Sequence, residues 1–217
     1  EYMPVAQILV SVGLISLCLL LFVGRIQNIP PLRYQDLINP LIIIRTLSDM
    51  LGAIFIVYAI SLISLSTVSS FLQAIPLIVT AGSAIFFKEK VGWRRWSAVI
   101  VGFCGVIFIL KPGMTSFQSS SILAFIGILF LGLRDLITRN IKDDISSLTI
   151  SIYAFLATTI GGVLLMPISN TFIALSTLQL YLILLSAVIA SFSYFMLVLA
   201  TRKGDVSVIS PFRYTRL

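Results

Sequence analysis

The sequence predicts an all-α fold: a polytopic bundle of membrane-spanning helices. Composition points there first. Of 217 residues, 59% are hydrophobic and 11% charged, and mean hydropathy is +1.10. Soluble domains carry about 25% charged residues. Apolar residues also come in unbroken runs of roughly 20, the length of a helix crossing a bilayer. A membrane β-barrel would instead show shorter, alternating strands. Finally, the basic residues gather between the runs, where inter-helix loops belong. In lipid the backbone must satisfy its own polar groups, which helices do within one segment.

Seven complete apolar segments and one partial one follow in order. The first is Met3 to Val23, followed by a polar, proline-containing stretch from Gly24 to Pro40. The second, Leu41 to Leu65, carries Arg45 and Asp49 near its start. The third runs from Thr67 to Phe87. Its join to the second is so short that the two are expected to lie side by side, antiparallel. The fourth, Trp93 to Leu110, ends at Lys111-Pro112-Gly113, a helix-stop sequence. The fifth is Ser121 to Thr138, and the sixth, Ser147 to Met166, is expected to close at Pro167. The seventh is Leu178 to Ala200, and a partial eighth starts near Asp205. The chain begins at Glu1 and its last apolar run stops at Leu217 in mid-crossing, so it reads as truncated at both ends.

Orientation follows from the basic residues. Loops on one side hold eleven of the fifteen Lys and Arg residues, and the other side holds Lys111 alone. The remaining three, Arg134, Arg213 and Arg216, lie inside apolar segments. By the positive-inside rule the basic side is cytoplasmic, which predicts a multi-pass protein of the cytoplasmic membrane. Lys88, Glu89, Lys90, Arg94 and Arg95, between segments three and four, are expected to fix topology rather than bind a substrate. The net charge of +7 is absorbed by these loops, so nucleic acid is not an expected partner. Expected partners are the bilayer and a small-molecule substrate, with a homodimer left open. Small residues such as Gly102 with Gly105, Gly127 with Gly132, and Gly161-Gly162 are expected to let helices pack closely. Cys18 and Cys104 lie in apolar runs and read as small packing residues rather than a disulfide.

The stretch from Val68 to Gly113 carries a resemblance. Pro76 inside a crossing, Phe87-Lys88-Glu89 at its end, Gly92 and Trp96 entering the next helix, then Gly102, Gly105-Val106 and Pro112-Gly113 resemble the EamA-type branch of the drug/metabolite transporters. Ser210-Pro211-Phe212-Arg213-Tyr214 looks like the matching place in that family's second repeat. The resemblance implies two inverted five-helix repeats. Residues 1–113 would be the remainder of the first (helices two to five), and 119–217 an incomplete second (helices six to nine). One departure is Ser11-Val12-Gly13, where related transporters often carry arginine. Shifting the sequence by 140 positions aligns Phe55 with Phe195, Val68 with Val208 and Ser70 with Ser210. The implied activity is secondary active transport of a small organic metabolite, amino-acid-like, S-adenosylmethionine-like or drug-like. It would work by alternating access around a midplane site.

Ionisable groups at membrane depth are the default functional candidates. Arg213 and Arg216, ~12 and ~16 Å into the last crossing at helical rise, with Tyr214 between them, are candidates for binding a substrate carboxylate or phosphate. Gln73, aligned with Arg213 by the shift, and the helix-kinking Pro76 are candidates for the substrate path. Arg45 and Asp49, spaced i, i+4, are expected to form an ion pair on an interfacial helix face. Asp49 is also the candidate coupling-ion carboxylate. Tyr58, Tyr153, Phe192 and Tyr194 are aromatics able to stack on a substrate.

No catalytic, cofactor or metal site is expected. The chain has no histidine for a zinc-protease motif or a Ser–His pair, and no phosphate-binding GxxxxGK[ST] loop. Asp49 and Asp135 look too near helix ends to form an intramembrane acid pair. A non-transporting scaffold or channel-like protein is the alternative reading.

Overall fold

The computed structural model describes residues 3–30, 36, 38–89, 91–110, 120–141, 144–169 and 173–203. Among them are eight helices: α1 (Val5–Ile26), α2 (Pro40–Leu62), α3 (Leu65–Leu72), α4 (Ile75–Phe86), α5 (Trp93–Leu110), α6 (Ser121–Arg139), α7 (Ser147–Ser169) and α8 (Thr177–Lys203). With α3 and α4 counted as one rod, seven are long and apolar enough to cross a membrane. The protein is therefore a multi-pass helical membrane bundle. The expected eighth crossing lies outside the described residues.

Local chemistry sets the helix ends. Asn39 caps α2 by accepting from Leu41 N at 3.0 Å, with Pro40 opening the helix. The hydroxyls of Ser64 and Ser146 accept from Thr67 N (3.3 Å) and Thr149 N (3.0 Å), capping α3 and α7. At α8, Ser176 and Gln179 bond each other's backbone N–H, a capping box. Helix α1 stops where Asn28 turns left-handed at φ 54°, a conformation Asn tolerates better than most residues.

Two pairings dominate the bundle, α1 on α7 and α2 on α6; α1 on α8, α2 on α7 and α4 on α6 complete it. Glycines set the spacing, each leaving room for a neighbour's side chain or backbone. A Cβ on Gly13 would lie 2.7 Å from Thr159 Oγ1, and one on Gly162 2.8 Å from Val10 N. Between α2 and α6, a Cβ on Gly52 would meet Leu131 at 2.6 Å and one on Gly127 would meet Ile56 at 2.8 Å. Lipid supplies no hydrophobic drive between helices, so such close approach is the main source of association. The buried core runs from Ile56 and Ala59 through Val68 and Phe71 to Ala124 and Ile128. Helix α5 packs on α4 at the edge of the bundle, with Val106 in the core and Ile100, Val101 and Phe108 pointing outward.

Several expectations are corrected. The kink expected at Pro76 is a full break at Gln73–Ala74, because Pro76 sits in the first turn of α4 and cannot continue the ladder from α3, so segment three is two helices rather than one. Pro167 does not end its helix. Helix α7 runs through it to Ser169. Segments two and three meet only near their short join. Along its length α2 packs on α6, since the Gly52 and Gly127 contacts decide the seam. Cys18 and Cys104 are free and exposed, not packing residues. Gly102 accepts Leu77 closely, but a Cβ on Gly105 would meet nothing.

Candidate functional site

The site grows from one face of α2. Ile42, Arg45, Asp49, Gly52 and Ile56 recur at helical spacing and are all buried, so that face points into the bundle. Its apolar members pack against α6 and the start of α7. Its two charged members therefore lie where water does not reach: Arg45 is 1% exposed and Asp49 3%. Taking an ion out of water costs several kcal/mol, so each must find partners.

They find them on three other helices. Arg134 Nη1 on α6 donates to Asp49 Oδ1 at 2.9 Å. The same guanidinium pairs with Asp135, Nη2 lying 2.8 Å from Oδ1. The Tyr194 hydroxyl on α8 donates to Asp49 Oδ2 and accepts from Arg45 Nη2. Arg45 Nε donates to Thr138 Oγ1 at 3.2 Å, and its Nη1 to the Ile150 carbonyl of α7 at 3.2 Å. Thr138 in turn donates to the Arg134 carbonyl at 2.7 Å. The Tyr194 ring lies within cation–π reach of both guanidiniums, 5.7 Å from Arg45 and 5.5 Å from Arg134. Phe155 meets that ring edge-on at 5.3 Å. Two arginines and two aspartates thus form one charge-balanced cluster at the meeting of α2, α6, α7 and α8.

This geometry corrects the reading of Arg45 and Asp49 as an interfacial pair. Their own contact is the longest ion pair in the cluster, 3.6 Å. The i, i+4 spacing put them on one face, and neighbouring helices made that face interior. Nor is Asp49 near a helix end, since it sits nine residues into α2, ~13 Å along the axis. Arg134, Asp135, Thr138 and the bridging role of Tyr194 were not singled out from the sequence. The available signal was charge balance: two arginines and two aspartates fall inside apolar segments two and five, and buried charges come in compensated sets.

The other candidates are scattered. Gln73 sits at the α3–α4 break and lines an open groove of ≈ 410 Å³ with Ser70, Leu77, Gly102 and Val106. Pro76 is buried, its carbonyl accepting from Thr80 Oγ1 at 2.8 Å. Lys88 takes a left-handed φ of 53° after α4. Glu89 pairs with Arg139 at 3.3 Å at the exposed bundle edge. Arg94 stacks on the Trp93 ring at 5.7 Å, and Arg95 is exposed. Tyr58 and Phe192 face outward, while Tyr153 is buried. Lys90, Arg213, Tyr214 and Arg216 lie outside the described residues.

The sequence model of the EamA-like transporter family matches residues 1–111, just over half of the chain. The chain belongs to the EamA-like transporter family. Curated relatives agree. An S-adenosylmethionine uptake transporter of Rickettsia bellii is 24% identical over 175 residues, covering 81% of this chain and 60% of the relative. A riboflavin transporter of Vibrio cholerae is 29% identical over 153 residues, covering 67% and 49%. A riboflavin transporter of Rhizobium johnstonii is 29% identical over 147 residues, covering 64% and 48%. The chain thus spans about half to three fifths of the length of the curated relatives it matches. No solved structure matches it. Among EamA-like proteins the relatives named here are transporters, not enzymes.

Proposed function

We propose that this EamA-like chain serves secondary active transport of a small organic metabolite across a cytoplasmic membrane, by alternating access. The family match over residues 1–111 carries the reading. The relatives' substrates bound the class: S-adenosylmethionine and riboflavin are compact, polar and ring-bearing. The basic loops at one end of the bundle support a cytoplasmic-membrane orientation. Residues 1–113 and 119–217 are read as parts of two inverted repeats. The packing supports this: α2 lies against α7 as α8 lies against α1, the reciprocal contacts an inverted repeat requires.

In this reading Asp49 is the carboxylate that couples transport to an ion gradient. It is bonded at once from α6 and α8. Losing its charge changes its hold on Arg45, Arg134 and Tyr194 together. Gln73, Pro76, Arg213, Tyr214 and Arg216 are proposed to line the substrate path, with the loop of Lys88, Glu89, Lys90, Arg94 and Arg95 fixing topology. Catalysis is not proposed: the Arg134 guanidinium bonds both Asp49 and Asp135, where a proton-sharing acid pair would need direct contact.

A metabolite screen with the full-length protein in proteoliposomes, with and without a pH gradient, tests the reading. S-adenosylmethionine, riboflavin and amino acids are the probes. Transport of at least one above protein-free vesicles is expected. A scaffold would move none.

A further inference from the structure

We propose that the hydroxyl of Tyr194 is the latch of a two-layer cytoplasmic gate, and that α8 is the element that swings. The proposal rests on the transport reading above. It starts from how differently α2 meets its neighbours. Helices α2 and α6 are docked backbone-close through Gly52 and Gly127, a seam that cannot open without losing its main packing. Helices α1 and α7 are fixed likewise through Gly13 and Gly162. Helix α8 does not lie along α2; its main neighbour is α1. It reaches α2 through side chains, and the polar link is Tyr194, bonded to Arg45 and Asp49.

A second layer lies beneath the first. One turn nearer the basic end, Ile42, Ile141, Ile145, Ile150, Tyr153 and Val198 form a buried apolar plug. The register repeats: Ile42 lies three residues from Arg45 on α2, Ile141, just past the end of α6, three from Thr138, and Val198 four from Tyr194 on α8. On α2 and α8 alike, a charged or hydroxyl group is backed by an aliphatic one toward the basic loops. Both layers join α2 to α8, the contact that a swing of α8 would open while the glycine-docked seams stay closed.

Helix α8 also has room. Phe195, Leu199 and Arg202 line a cleft of ≈ 670 Å³ with Gln27, Ile29 and the start of α7. At the helix end Arg202 Nη1 donates to Ile145 O at 2.7 Å and Ser147 Oγ at 3.1 Å, a side-chain tether to the turn entering α7. The basic half of α8 is held by hydrogen bonds, the apolar plug and the side-chain packing of Ala190, Tyr194 and Phe195 on α1 and α7, with open volume beside it and no close-docked glycine among these contacts. Those are the properties of a moving part, since such contacts can break and re-form while glycine-docked seams hold.

The test uses the full-length protein with Cys18 and Cys104 replaced by Ala and Ile42→Cys introduced into the plug. Membrane-impermeant maleimide is applied to inside-out and right-side-out vesicles. Tyr194→Phe keeps the ring and removes the hydroxyl. It should raise cytoplasmic-side labelling roughly two- to tenfold, the population shift expected on losing one or two hydrogen bonds. Outer-side labelling should not change. Asp49→Asn is the second variant and should act in the same direction; whichever variant inserts normally decides. Labelling equal to the parent, or an equal rise from both sides, overturns the latch. Labelling needs no transport, so a protein that moves no metabolite refutes the transport reading and leaves the seam measured. If transport is found, cross-linking Ile42→Cys to Val198→Cys with a short bismaleimide should stop it, and continued transport overturns the gate.

Discussion

Arg134 donates to Asp49 across the α2–α6 seam at 2.9 Å while holding Asp135 in its own helix at 2.8 Å. One guanidinium on α6 thus neutralises the acid of another helix and the acid beside it, and Arg45 supplies the second positive charge. The cluster is neutral as a set, and no single member can be removed without leaving a net charge in the bundle interior.

That predicts a specific stability pattern. Asp49→Leu leaves an uncompensated buried cation and should cost about 3–5 kcal/mol. Adding Arg134→Met restores neutrality and should recover at least ~1 kcal/mol of that loss, since neighbours in one network do not add. Thermal unfolding of the purified protein in detergent, run as a double-mutant cycle, measures the coupling. Strictly additive losses would show that the pair is not energetically linked.

The glycine-docked seams predict a contrast. Gly52→Ala and Gly127→Ala drive a Cβ into Leu131 and Ile56, at 2.6 and 2.8 Å. Each should destabilise by about 1–3 kcal/mol, the usual cost of overpacking. Gly105→Ala meets open space and gains helix propensity, so it should be neutral or stabilising by up to about 1 kcal/mol. The same unfolding assay ranks the three. Equal effects at all three positions would contradict the packing account.

The basic loop predicts a topological effect. Replacing Lys88, Lys90, Arg94 and Arg95 with neutral residues weakens the positive-inside bias at the α4–α5 turn. Cysteine accessibility in this loop should become mixed between the two membrane faces. A loop that remains wholly on one face would assign those residues another role.

For the proposed substrate path, Arg213→Ala should abolish transport of an anionic or zwitterionic substrate while leaving membrane insertion intact, because an arginine within an apolar segment is costly unless it has a partner. Transport assays and membrane yield measured together check this. Undiminished transport would remove Arg213 from the path.

How much of this was legible in the sequence differs by level. The spans were, because a bilayer imposes one length and one composition on every crossing. Which helices pack was less so. The join at Ser64 argued for α2 beside α3, but a short loop fixes only the ends of two helices, and Gly52 with Gly127 decided the rest. The cluster was half legible. Arg45 and Asp49 announced themselves by spacing, whereas Arg134 was set aside as one charge in an apolar run. Linking it to Asp49, 85 residues away, needs the tertiary fold. Tyr194 was one aromatic among several, and only the tertiary fold sets its hydroxyl against Asp49 and Arg45 while Phe192, two residues earlier, faces outward.

The central claim joins transport to the buried cluster through Asp49. Its most direct test is substrate flux by the full-length protein in proteoliposomes under an imposed pH gradient, comparing the parent with Asp49→Asn. The account predicts flux that responds to the gradient in the parent and flux indifferent to it in the variant. Gradient dependence unchanged in a correctly inserted Asp49→Asn protein would contradict it, and would leave the cluster a purely structural brace.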